Sequence, residues 1–195
     1  MPFKEPQFLF YHWPELLSAP GSFDVDFIIA SISNTPARQD LYGIRFSKPY
    51  YTTRVGLILK QTLPGLKITY SELSRLTVAA NSTTTASSFV DTLKLSHVKK
   101  AGTKQEVFAL LADGKVDGIV YDYVRSKSEA KARGWSSVEI DYSSIPANLR
   151  PTSEQYSIAL APVNDALLND IDDVLIHLDT TGMINSGIAQ IGSGR

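Results

Sequence analysis

The stretch "FIIASISNTPARQDLYGIRFSKPYY", residues 27–51, decides the fold. It begins inside "VDFIIAS" (25–31), a continuous apolar run of strand length that suits a sheet covered on both faces. "NTPARQDL" then starts a helix, with Thr35 as N-cap and Pro36 at the first helical position. Ser31 and Ser33 are expected just past the strand end, and Arg38 in the first helical turn. In an α/β sheet, ligands gather where strand C-terminal ends meet helix N-termini. Free backbone N–H groups, donating hydroxyls and a guanidinium that matches a carboxylate bidentately all favour a small anion there. A charge-assisted hydrogen bond contributes about 1.5–3 kcal/mol and the helix terminus about 0.3–1. A micromolar ligand needs roughly 8 kcal/mol, so a second surface must also contribute. The same residues fit an ordinary strand–helix turn with a solvated arginine.

Working outward, "HWPELLSAPG" reads as a short helix that Pro20-Gly21 ends, and "RVGLILKQ" (54–61) as a strand followed by the turn "TLPGLK". "TYSE" (69–72) and "TKQE" (103–106) have capping-box spacing. "LTVAA" (76–80) is a strand, and "NSTTTASSFVDTL" opens a helix on a hydroxyl-rich turn that suits either an anion or simple capping. Gly114 is expected to close the helix "VFALLADG". The strand "VDGIVYD" (116–122) ends on Asp122, which could receive a ligand ammonium or cap a helix. Residues 131–152 read as irregular. "QYSIALAP" (155–162) is a strand, and Leu167, Leu168, Ile171, Val174, Leu175 and Leu178 form the apolar stripe of a long final helix stopped by Gly182. Strands alternating with helices predict an α/β architecture with mainly parallel sheets.

Composition narrows the function classes. With 43% hydrophobic and 20% charged residues and a formal charge of −1, the 195-residue chain has a globular balance and no basic run for nucleic acid. No apolar stretch approaches the roughly 18 residues of a membrane span. "MPFKEPQFLF" lacks a positive region followed by an apolar core, so no signal peptide is read. Cysteine is absent, and the three histidines (His12, His97, His177) lack ligand spacing, so neither a metal nor a cofactor is expected.

The order of these blocks carries a resemblance. "DVDFIIASISNTPARQDLYGIRFSKPYYTTRVGLILK" resembles the core signature of the type II periplasmic binding proteins, above all their amino-acid-binding branch, extracellular solute-binding family 3. That pattern runs approximately D-h-h-h-x-x-h-x-h-T-x-x-R, then F-S-x-P-Y-Y. It is met here by Asp26, Thr35 and Arg38, then Phe46, Ser47, Pro49, Tyr50 and Tyr51. "LTVAANSTTTASSFV", "VFALLADGKVDGIVYD" and "YSIALAPVNDALLNDIDDVLIHLDTTGMINSGIAQI" resemble the family's later blocks, in the same order.

The resemblance implies a periplasmic binding protein type II-like fold of two α/β lobes. Lobe one would take 1–57 plus 157–195 and lobe two 60–152, joined by a two-strand hinge near Leu57–Gln61 and Gln155–Ala159. It implies that Ser31 and Ser33 bond an α-carboxylate, that Arg38 pairs with it, that Thr84 adds a lobe-two bond and that Asp122 accepts the α-ammonium. The protein would deliver an amino acid or similar zwitterion to the membrane subunits of an ABC importer, in the periplasm or another extracytoplasmic space. The chain departs from the family in two ways. Thr83 stands where glycine is usual, and a strand, helix and strand of at least about 30 residues are missing before "HWPELL". Lobe one would then be incomplete, exposing a sheet edge and an apolar face that a homodimer could complement. Two readings compete with solute binding: a shortened paralogue acting through protein–protein association, and a dehydratase-like enzyme on the same fold. The second lacks a G-x-S-x-G elbow, a metal-ligand cluster and an acid–base pair. The expected class is therefore a non-enzymatic binder.

Overall fold

The structure is a computed structural model, and it describes residues 5–61, 67–184 and 186. In chain order the elements are α1 (Trp13–Ser18), β1 (Phe27–Ser33), α2 (Pro36–Tyr42), β2 (Arg45–Phe46), β3 (Tyr51–Thr53), β4 (Val55–Leu59), β5 (Lys67–Ile68), α3 (Tyr70–Leu73) and β6 (Val78–Asn81). There follow α4 (Thr85–Thr92), β7 (Val98–Ala101), α5 (Lys104–Ala112), β8 (Gly118–Asp122), α6 (Tyr123–Lys131), β9 (Ser136–Ile140), β10 (Glu154–Leu160) and α7 (Asp165–Thr180). The chain divides into two compact units, residues 1–51 with 155–195 and residues 52–154. The division thus falls at Tyr51/Thr52 and Glu154/Gln155, and all of β4 lies in unit 2.

Local signals set most of these boundaries. Thr35 caps α2 by accepting the Arg38 N–H, and Gly43, at φ +58°, ends it. Thr69 with Glu72 and Thr103 with Glu106 form complete capping boxes at α3 and α5. Two segments differ from the sequence expectation. β1 continues through Ser33, so Ser31 and Ser33 lie within the strand and not past its end. This happens because β10 goes on pairing with it, Ile32 opposite Ser157 and Ser33 opposite Tyr156. The stretch read as irregular contains β9 and two short 3-10 turns, and α6 precedes it. The expected turn "TLPGLK" falls mostly on 62–66, outside the described residues.

Unit 2 is built on a six-stranded sheet of order β5-β9-β4-β8-β6-β7. Its pairings β5–β9, β6–β7 and β6–β8 are parallel, while β4 runs antiparallel to β8 and β9. One face packs Leu57, Val78, Val120 and Val138 against Phe89 and Val90 of α4 and Leu93 just after it. The other packs Ile58, Ala79 and Ile119 against Val107, Phe108 and Leu111 of α5. Helices on both faces explain the consecutive buried residues at 55–58 in β4 and 118–120 in β8.

Unit 1 holds a smaller sheet of order β1-β10-β2, with β3 also on β10. Here β10 runs antiparallel to both β1 and β2, so the parallel character expected from sequence belongs to unit 2. Leu17, Ile28, Ile32, Ile44 and Ala159 fill one side, and Ile158, Leu160 and Leu175 of α7 the other. Val174, which the sequence placed in the apolar stripe of α7, is exposed.

Candidate solute-binding residues

In unit 1 the expected residues lie close together on β1 and α2. The register of β1 against β10 shifts between Ile28 and Ile32, a bulge that contains Ser31. Ser31 there takes φ +54°, the left-handed region that non-glycine residues rarely occupy and that often marks a site under functional constraint. Its N–H donates to Tyr50 Oη at 3.1 Å. Burial pushes the Tyr50 phenol pKa up, so this hydroxyl stays neutral. Ser33 is buried, and its carbonyl accepts a hydrogen bond from Arg38 Nη1 at 2.8 Å. Arg38, only 8% exposed, has its guanidinium carbon 5.3 Å from the Trp13 ring centroid. The cation that sequence reasoning left open as solvated is therefore buried and held in one orientation by α1, β1 and its own helix start.

In unit 2 the expected residues share one end of the sheet. β6 and β8 are parallel neighbours, Val78 opposite Gly118 and Ala79 opposite Ile119, so their C-terminal ends emerge side by side. Thr84 caps α4 just beyond β6, and Asp122 ends β8. The Thr84 hydroxyl donates to the Asn81 carbonyl at 2.9 Å and does not cap its helix through its side chain. Thr83 donates its N–H and hydroxyl to Asn81 Oδ1 at 3.0 and 2.8 Å. Asp122 caps α6, with Oδ1 accepting the Arg125 N–H at 2.8 Å and Oδ2 the Thr53 hydroxyl at 3.2 Å. The capping role weighed for Asp122 in the sequence is realised, and it fixes the carboxylate at the strand end.

Four neighbours were not singled out by sequence reasoning. Thr53 steadies Asp122. Tyr142 Oη accepts the Val55 N–H at 3.0 Å, Arg54 lies 5.4 Å from the Tyr142 ring, and Glu154 accepts the Thr85 hydroxyl at 3.0 Å. Burial first, then the nearby Glu154 and Asp122 carboxylates, push the Tyr142 pKa up to about 12 against the pull of Val55 N–H and Arg54. Among the described residues no group of three or more histidine, aspartate or glutamate side chains could hold a metal ion.

A family model matches residues 4–190, and its description reads "Bacterial extracellular solute-binding proteins, family 3". The chain belongs to this family. Solved structures of the same fold include three amino-acid-binding proteins. An arginine-binding protein of T. maritima, a P235GK mutant, is 22% identical at TM-score 0.73, over 96% of this chain and 77% of its own. A Streptococcus pneumoniae amino-acid ABC transporter substrate-binding protein bound to L-arginine is 21% identical at TM-score 0.72, over 92% and 72%. The GluR0 ligand-binding core in complex with L-glutamate is 22% identical at TM-score 0.70, over 89% and 75%. An ancestral amino-acid-binding protein described as a precursor of cyclohexadienyl dehydratase also matches, at 20% identity and TM-score 0.70. At these identities the likeness establishes the type II periplasmic-binding-protein fold. No curated protein sequence matches. Among the described residues, no helix of this family 3 protein is long and apolar enough to cross a membrane.

Proposed function

We propose that this family 3 protein binds an amino acid or similar small zwitterion and presents it to the membrane subunits of an ABC importer. The carboxylate is assigned to Ser31, Ser33 and Arg38 of unit 1, with Thr84 adding a bond from the start of α4. The ammonium is assigned to Asp122. One observation carries the reading: in a chain of this family, Arg38 is a buried cation fixed on the Ser33 carbonyl beside a left-handed Ser31. A guanidinium pre-oriented in this way loses little side-chain entropy when it engages a carboxylate. Family membership supports the extracytoplasmic location and the transport role, which are part of the proposal, as is the pairing of the two units around one ligand. If each unit holds part of the ligand, binding favours whichever arrangement lets both engage.

The test is calorimetric titration of the folded chain against the twenty amino acids, repeated with Arg38→Ala. Binding of at least one amino acid is expected, weakened about 10-fold to 150-fold by the substitution, the equivalent of a 1.5–3 kcal/mol charged hydrogen bond. No heat with any amino acid would overturn the reading. An enzymatic role has a fold neighbour behind it, the dehydratase precursor, and that likeness is of fold alone.

A further inference from the structure

The edges of the two sheets are treated differently. β7 closes one edge of the six-stranded sheet and exposes Lys99 and Lys100; β5 closes the other and exposes Lys67. Lysines on an edge strand discourage another strand from pairing with it. β1, by contrast, ends the order β1-β10-β2, pairs on one side with β10, and exposes Phe27 (43%) and Ile29 (57%). Phe27 lies opposite Leu160, so the two share a face. Leu160 is fully buried in the cluster that includes α7, and no residue of β1 belongs to that cluster. The result is an apolar edge on whose outer side no strand pairs among the described residues.

The same chain carries a segment that fits such an edge. Residues 5–12 belong to no helix or sheet, and Phe8 and Phe10 are 80% and 99% exposed, with Leu9 also exposed. Phe8 and Phe10 stand two apart, so in a strand they lie on one face and Leu9 on the other. Laid along β1, that face would continue the Phe27/Ile29 surface with aromatic and β-branched cross-strand pairs. We propose that two copies of this chain exchange these arms, the Glu5–Tyr11 segment of each adding as a strand to the outer edge of β1 in the other.

Exchange between copies is favoured because donor and acceptor are both on this chain, yet among the described residues of one copy the arm does not pair with β1. The bulge at Ser31 limits the regular edge to its first half, which matches a short arm. The apolar surface of Phe8, Phe10, Phe27 and Ile29 covered in this way is on the order of 500 Å² per copy. A stable interface of ordinary size takes about 800 Å² per partner, polar rim included, so the arm and edge supply most of what is needed. A two-fold dimer would use the contact twice. This inference is independent of the ligand proposed above.

The experiment is light scattering on the size-fractionated 195-residue chain across a concentration series, with two variants. One carries Phe8→Asp and Phe10→Asp in the arm; the other carries Ile29→Lys on the edge. Wild type is expected to run at twice the chain mass, and each variant alone as a monomer with dimerisation weakened at least 100-fold. Circular dichroism and thermal melting check that both variants remain folded, as expected for exposed positions. Mixing the two variants restores one functional arm–edge contact, so a heterodimer should reappear in the mixture alone. A wild-type monomer at every concentration overturns the proposal. So does a wild-type dimer that either variant retains, or a mixture that stays monomeric.

Discussion

Unit 2 and unit 1 differ in how they treat apolar surface and in the charge they present. Unit 2 sandwiches its sheet between helices, and its large apolar side chains are covered among the described residues. Among the described residues, the large apolar side chains left exposed, from Phe8 to Met183, all belong to unit 1. The expected ligand residues divide as well. Unit 1 contributes the cation Arg38 on β1 and α2, whereas unit 2 gathers the carboxylates of Asp122 and Glu154 at one end of its sheet. The difference teaches that stability and chemistry are distributed separately. Unit 2 carries most of the packed core, and neither unit alone offers both signs of a zwitterion's partners from the residues proposed.

The largest expected effect breaks the packing half of this comparison. Leu57, in the middle of β4, is fully buried, so Leu57→Ala should cost about 2–5 kcal/mol in denaturant unfolding. Ile29→Ala in unit 1, an exposed position, should change the stability of a single copy by no more than about 0.5 kcal/mol. Equal losses at the two positions would mean that β1 is as well covered as β4.

Ser31 sharpens the comparison at the site. At φ +54° a β-branched side chain is strained, so Ser31→Val should cost about 1–2 kcal/mol by thermal unfolding. Ser31→Gly should be neutral or stabilising by up to about 1 kcal/mol. A Ser31→Val variant as stable as wild type would show that the bulge is not held in this conformation.

The smallest effect is electrostatic and belongs to unit 2. Glu72, Glu129 and Asp141, whose carboxyls are held below the ordinary range, all lie there. For Glu129 burial opposes ionisation, but hydrogen bonds from Lys104 and Arg133 outweigh it. A lowered folded-state pKa gives stability that is full above the unfolded value, here 4.5, and is lost as pH falls through the folded value. Glu129→Gln should therefore destabilise by no more than about 1 kcal/mol at neutral pH, with the gap from wild type closing below pH 4.5. Hydrogen exchange at graded pH checks this; a gap unchanged down to pH 2 would contradict it.

Much of this was legible in the sequence because it is local. Thr35-Pro36, Thr69 with Glu72 and Thr103 with Glu106 each state a helix start within four residues, and each is realised. α6 and β9 were missed because the apolar signal is weak. α6 buries only Ser126 and Ala130, and the buried positions of β9 are Ser136, Val138 and Ile140. Their contact includes a pair of serine hydroxyls 2.5 Å apart, which hydrophobic periodicity cannot reveal. At the proposed site, Ser31, Ser33, Arg38 and Asp122 stood out from strand ends and helix starts, and Thr84 from the family resemblance. Tyr50 and Tyr142 join their backbone partners across 19 and 87 residues, and such pairings exist only once the sheets have formed.

The most direct test of the binding account uses a ligand stripped of one charge at a time. The tightest-binding amino acid would be titrated beside the amine that lacks its carboxylate and the acid that lacks its ammonium, on wild type, Arg38→Ala and Asp122→Asn. The account predicts that wild type prefers the whole zwitterion over either analogue, that Arg38→Ala abolishes the preference over the amine, and that Asp122→Asn abolishes the preference over the acid. Wild-type discrimination that survives both substitutions would contradict it.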